Sequence, residues 1–214
     1  MDLNKLGLAV EFVLIFAALP VGFRFLPVRI SPIPALWAAA LYCYLILRTT
    51  QGFSRNRLWN PAPLLGSLGS VLLGFVVAAA AITLAVWMWQ RQALFAFVRT
   101  RPLLWALVML LYPVFSVYPQ GIIYRAFLFE RYRSLFPSVA IMILASAAAF
   151  AFSHIIFRNP WSVILTLVGG LLFAWRYQHT GSLLVSSLEH ALYGGYMFTV
   201  GLGGLFYHGA MNNP

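Results

Sequence analysis

The sequence predicts an all-α fold, a polytopic transmembrane helix bundle of about seven spans, and three observations lead there. Of its 214 residues, 62% are hydrophobic and only 8% are charged. A soluble domain carries roughly 25% charged residues, so this stock could not cover a globule facing water. Several apolar runs also reach the roughly 20 residues that take a helix across a bilayer. Within those runs apolar and polar residues do not alternate. Lipid leaves backbone groups no water to bond, so only helices or a closed barrel can span it, and barrel strands would alternate.

By hydropathy the spans lie near residues 6–23, 33–48, 65–90, 102–118, 137–157, 161–178 and 182–207. Lys5 and the apolar run Leu6–Leu19 have the look of a secretory signal. No small-residue cleavage site follows, so the run reads as the first membrane helix. The segments "RFLPVRISPIP" and "RTTQGFSRNRLWNPAPLLG" are punctuated by Pro, Gly and Arg and read as connections. A third, "QRQALFAFVRTRP", alternates charge with aromatics and reads as an interfacial helix. The chain is expected to form one integral membrane domain. Residues 1–101 would supply the N-terminal helices and connections, and 102–214 a core holding nearly all the unusual polar residues.

A formal charge of +10 would suggest nucleic acid as the partner of a soluble protein. Here Arg24, Arg29, Arg48, Arg55, Arg57, Arg91, Arg99 and Arg101 stand at the ends of apolar runs. That placement anchors a membrane protein to anionic headgroups, so the expected partner is the lipid bilayer and not nucleic acid. Both sides are positive, which leaves orientation open. The expected location is a bacterial plasma membrane. The lone cysteine, Cys43, excludes an intrachain disulfide. Scarce acidic residues and the lack of an inverted repeat argue against a transporter.

Ionisable groups inside spans are costly and therefore mark function. Three constellations qualify. The first is Gln120-Gly121-x-x-x-Arg125, at the end of the fourth apolar run. Gly121 and Arg125 have the i, i+4 spacing of one helical face, shared with Tyr118, Tyr124, Leu128 and Tyr132. Taken alone, Arg125 reads equally well as a side chain snorkelling to headgroups. The second is Phe150-x-x-x-His154 in "AAAFAFSHIIF", on a helix whose alanines permit close approach by neighbours. A lone histidine there is also an ordinary interhelical hydrogen bonder. The third is Glu189-His190-x-x-x-Gly194 in "SSLEHALYGGYMF". Successive residues diverge by about 100°, so Glu189 and His190 do not face one point. An unpaired carboxylate in a span would cost several kcal/mol, and Arg125 is a candidate partner for Glu189. Together one arginine and two histidines on three helices suggest a shared polar pocket. His179 and His208 fall near segment ends and receive no role. No H-E-x-x-H pair offers two ligands from one helix, so no metal and no cofactor is expected.

These residues resemble the intramembrane endopeptidases of the CAAX-protease and bacteriocin-processing group, which includes the type II CAAX prenyl proteases. The family pattern is E-E-x-x-x-R, then F-x-x-x-H, then H-x-x-x-N or D, each on its own membrane helix. It aligns with "QGIIYR" (Gln120 to Arg125), "FAFSH" (Phe150 to His154) and "HALYG" (His190 to Gly194), and "TGSLLVSSLEHAL" is a typical lead-in. The resemblance covers about residues 102–195. It implies a glutamic-type endopeptidase that cleaves a membrane-anchored peptide or prenylated protein. A glutamate and the second-motif histidine, His154, would activate water. His190 and the third-motif Asn would hold the oxyanion, and Arg125 would orient the carboxylate or bind substrate. Gln120, Tyr124, Phe150, Glu189 and Gly194 would contribute to substrate binding. Here Gln120 and Gly121 occupy the paired-glutamate positions and Gly194 the Asn position. Some members keep Gln-Glu, which leaves Gly121 as the missing base, lost or engineered away. Glu130 lies nine residues beyond Gly121 and faces the opposite side, so Glu189 is the candidate substitute. The alternative expectation is a non-catalytic membrane protein that binds peptide or lipid on the same scaffold.

Overall fold

A computed structural model describes residues 3–26 and 31–206. Arg29 and His208 lie outside the described residues. Long helices account for most of the chain, and no strand occurs among the described residues. They are α1 (Asn4–Arg24), α2 (Pro32–Thr49), α3 (Leu64–Trp89), α4 (Pro102–Arg131) and α5 (Val139–Phe157), then α6 (Pro160–Thr180) and α7 (Leu183–Val200). Helices α1 to α5 are long and apolar enough to cross a membrane by length and composition. The last two carry Arg176, His179, Glu189 and His190 among their apolar residues. Large apolar side chains face outward throughout, among them Leu65, Leu73, Leu103, Leu110 and Val168. Such exposure suits a hydrocarbon surround and not water.

Local chemistry sets the helix ends. Ser138, Asn159 and Ser182 cap α5, α6 and α7, each accepting a bond from a main-chain N–H in the first turn. Gly181 ends α6 in the left-handed region at φ +61°, which lets α6 and α7 form a tight antiparallel hairpin. The expected interfacial segment is a 3-10 turn at Arg91–Ala93 followed by a short helix at Ala96–Thr100. Its Phe95 N–H donates to the Val200 carbonyl, so the segment is stitched to the end of α7.

Helix α4 corrects the expected span. The fourth apolar run was expected to stop near residue 118, leaving the first motif at its end. Instead the helix continues to Arg131, because Ile123 through Phe129 pack inside the bundle and not at its edge. Two widened turns, Pro113–Val117 and Ile122–Phe127, interrupt its regular ladder. Pro119 has no N–H for the carbonyl four residues before it, Phe115. The indole N–H of Trp37, on α2, donates to that carbonyl at 3.1 Å. In the second widened turn, the buried Ser146 hydroxyl on α5 donates to the Tyr124 carbonyl at 2.7 Å. Both neighbouring helices thus supply a donor where α4 is irregular, as a buried backbone requires.

The core around this helix draws on Phe16 of α1, Cys43 and Leu47 of α2, Phe127 of α4, Phe150 of α5 and Phe173 of α6. At the far end of α4, Arg131 donates to both oxygens of Glu11 on α1 at 3.1 and 2.8 Å, and Tyr132 adds a third bond at 3.0 Å. That bidentate contact fixes α1 against the end of α4.

Candidate active site

The three motif segments come together on α4, α5 and α7, with Phe173 of α6 between them. Phe150 is the hub. Its ring centroid lies 4.7 Å from His154, 5.4 Å from His190 and 5.5 Å from Tyr124. The Arg125 guanidinium carbon sits 5.1 Å from the Phe150 centroid and 5.2 Å from that of Phe173. His190 stacks on Phe173 at 4.5 Å. One guanidinium and two imidazoles therefore share an aromatic nucleus, although among the described residues no hydrogen bond joins any two of the three.

A cavity of about 1910 Å³ reaches this nucleus from between the helices. Most of its wall is aliphatic or aromatic, and its polar groups include Tyr112, Gln120, Tyr124, His154 and His190. Gly194 also lines it, whereas Gly121, Arg125 and Glu189 do not. A shaped apolar cavity with a few converging polar groups is the usual form of a small-molecule or peptide site.

His154 is oriented by its own helix. Its Nδ1 lies 2.7 Å from the Phe150 carbonyl, an acceptor only, so Nδ1 carries the proton. The neutral ring then keeps a lone pair on Nε2. Gln120 donates from Nε2 to the Ser116 hydroxyl at 2.9 Å, and its buried Oε1 has no partner. His190 approaches the Tyr112 hydroxyl through Nε2 at 3.4 Å, while its Nδ1 is buried without a partner.

Gly121 and Arg125 share the expected stretch of helix but not a set of neighbours. A Cβ on Gly121 would meet Leu183 Cδ1 at 2.9 Å and the Ser187 hydroxyl at 3.0 Å, so this position faces α7. Arg125 instead reaches between α5 and α6. The widened turn at Ile122–Phe127 changes the angle between them, which a strict i, i+4 rule does not foresee.

Glu189 differs from its expected partner. Arg176, not Arg125, donates to it, from Nε at 2.8 Å and Nη2 at 3.0 Å. The two residues stand 13 apart in sequence and straddle the Gly181 turn, so the hairpin brings them opposite each other. Arg176 also donates from Nη1 to Ser70 of α3 at 2.9 Å. Glu189 is thereby committed to a structural pair and stands off the cavity wall. Arg125 has no hydrogen-bond partner at either Nη atom and is 1% exposed. His179 stacks on Trp175 at 4.8 Å, away from the nucleus.

Arg176, Phe173 and Tyr112 escaped the sequence reading. The first two lie in "FAWRYQHTGSLLVSSLEH", where folding the segment about its Gly turn would have paired Arg176 with Glu189. Tyr112 carries no signal of its own, since a tyrosine in an apolar run is unremarkable.

Residues 100–196 match the family model described as Type II CAAX prenyl endopeptidase Rce1-like. The match contains all three motifs. No curated protein and no solved structure matches the chain.

Proposed function

Taking residues 100–196 as a domain of the Rce1-like type II CAAX prenyl endopeptidase family, we propose that the cavity is the substrate site of a glutamic-type intramembrane endopeptidase whose carboxylate base is missing. The carrying observation is His154. Its Nδ1 is held by the Phe150 carbonyl, so Nε2 keeps a lone pair on a residue that lines the cavity, as Gln120 and His190 also do. In this reading a peptide anchored in the bilayer enters along the apolar wall, prenylated or otherwise lipophilic at one end. Its scissile carbonyl rests near His190, and water sits between Gln120 and His154. Gln120 orients that water through Oε1 but takes no proton, so His154 alone serves as base.

The family resemblance assigns the lost base to Gly121. Cavity geometry favours position 120 as the place from which a carboxylate would act, because residue 121 faces Leu183 and Ser187. A glutamate at 121 would have to displace the Leu183 side chain. The deciding experiment is cleavage of a farnesylated CAAX tetrapeptide by the detergent-purified chain and its Gln120→Glu and Gly121→Glu variants. Supplying the base should raise turnover by about 10²–10⁴-fold, with Gln120→Glu the more active. If neither variant cleaves while both bind the peptide, the catalytic reading is wrong.

One observation favours a second reading, in which the chain holds a membrane peptide without cutting it. Among the described residues every carboxylate is engaged by an arginine: Glu11 by Arg131, Glu189 by Arg176, and Glu130 by Arg57 at 3.8 Å. None is free to replace the base. Recovery of an intact peptide from the purified chain, identified by mass, would support retention over turnover.

A further inference from the structure

Position 194 is where the resemblance expects the amide that helps hold the oxyanion, and it is a glycine here. Its empty side is filled from another helix. A Cβ built on Gly194 would collide with the Tyr112 hydroxyl, and would lie only 2.7 Å from Cε1 and Cζ of the same ring. Those are distances that no real Cβ keeps, so Tyr112 in this orientation and any side chain at 194 exclude one another. Tyr112 reaches the spot from α4, its ring edge-on to Phe198 at 5.4 Å and perpendicular to His190. Its hydroxyl ends 3.4 Å from His190 Nε2. Tyr112, His190 and Gly194 all line the same cavity.

We infer that Tyr112 supplies, from α4, the hydrogen-bond donor that Gly194 does not, and that its phenol, oriented by His190, binds the carbonyl oxygen of a peptide in the cavity. The inference rests on the peptide-site reading given above. The chemistry suits the role. A phenol donates one hydrogen bond and accepts others, and an imidazole N–H is a donor. With His190 Nε2–H donating to the Tyr112 oxygen, the phenol proton is free to point at a carbonyl. Polarised by the imidazole, that phenol becomes a better donor. The same phenol would meet charge developing on the oxygen during water attack, the situation in which a fixed donor matters most. Glycine at 194 is then the complement of Tyr112 and not merely a lost asparagine. Its missing side chain makes the room that the phenol uses.

The test separates this role from the reading beneath it. The full chain, purified in detergent, is titrated with two probes. One is an S-farnesylated CAAX tetrapeptide with its cysteine carbonyl intact; the other is the same peptide with that carbonyl reduced to a methylene. The wild type should prefer the intact peptide by about tenfold, the scale of one or two hydrogen bonds. Tyr112→Phe keeps the ring and its contact with Phe198. It should erase the preference while leaving affinity for the reduced peptide unchanged, which a merely structural tyrosine would not do. Tyr112→Ala combined with Gly194→Asn places an amide in the vacated space and should restore the preference. A wild type that binds both probes alike, or a Tyr112→Phe protein that still discriminates, overturns the role of Tyr112 and leaves the peptide site standing. A wild type that binds neither probe overturns the site and this inference together.

Discussion

Arg176 and Glu189 form a doubly hydrogen-bonded ion pair across the α6–α7 hairpin, with side-chain exposures of 6% and 1%. Buried pairs of this kind contribute little net stability as pairs, yet removing one partner strands the other charge in a low-dielectric interior. That loss is typically about 3–5 kcal/mol. Glu189→Leu and Arg176→Met should each lower the unfolding temperature in detergent substantially. The double change Arg176→Met with Glu189→Leu should lose much less than the two single losses added. Additive losses would mean that the pair is not a unit.

Arg125 presents the opposite balance. Its two Nη atoms have no hydrogen-bond partner, and its guanidinium lies against the rings of Phe150 and Phe173. Each ring is worth about 2 kcal/mol to a desolvated cation, against a desolvation cost of several kcal/mol for the ion. A residue held at such a cost serves something other than stability. Arg125→Met, similar in length and apolar, should therefore leave the melting temperature unchanged or raised while weakening retention of a farnesylated tetrapeptide. A marked drop in melting temperature with unaltered peptide binding would make Arg125 a structural residue.

How much of this was legible beforehand depends on the range of the interaction. The long apolar runs report their own burial in lipid, and the helices follow them closely from α1 to α3. The end of α4 was misplaced because Gln120 and Arg125 look like an interface in one dimension. Only the packing of Ile123 to Phe129 inside the bundle shows that they lie within it. In the structure Arg125, His154 and His190 lie around Phe150, although Arg125 does not line the cavity as a shared polar pocket would require. Spacing could not reveal that a widened turn would aim Gly121 at α7, since such turns depend on donors from other helices, here Ser146 and Trp37. The partner of Glu189 was missed for a plainer reason. Arg176 stands just across the Gly181 turn from Glu189, whereas Arg125 belongs to a motif far away in sequence. Tyr112 was invisible because its role exists only through the empty side of Gly194.

The donors at the two widened turns of α4 should be separable from ordinary packing. Ser146 is buried at 1% exposure and bonds the Tyr124 carbonyl at 2.7 Å. Ser146→Ala removes that bond to a buried carbonyl, a cost of about 0.5–1.5 kcal/mol. The neighbouring Tyr124 and Arg125 should also shift, so peptide binding should weaken along with stability. Trp37→Phe removes the bond to the Phe115 carbonyl at the first turn, where Val114 and Phe115 are exposed. Its effect should be smaller and confined to stability. Thermal melts paired with peptide titration for both variants give the comparison; equal effects on binding would contradict the assignment of the second turn to the site.

His154 offers the sharpest test of the base. With Nδ1 tied to the Phe150 carbonyl at 2.7 Å, only Nε2 is left to take a proton, so the two nitrogens can be distinguished by substitution. In the Gln120→Glu background, His154→Asn keeps a group able to donate toward the Phe150 carbonyl but has no basic nitrogen. Turnover should fall by about 10²–10⁴-fold while the affinity for farnesylated tetrapeptide is retained. His154→Ala removes the tether as well and should loosen the end of α5, so stability falls together with turnover. The pairing of a large loss in turnover with unchanged binding in the Asn variant is the signature of a base. Loss of binding in that same variant would instead make His154 a contact for the peptide, and His190 with Tyr112 would be left as the polar groups to which catalysis must be assigned.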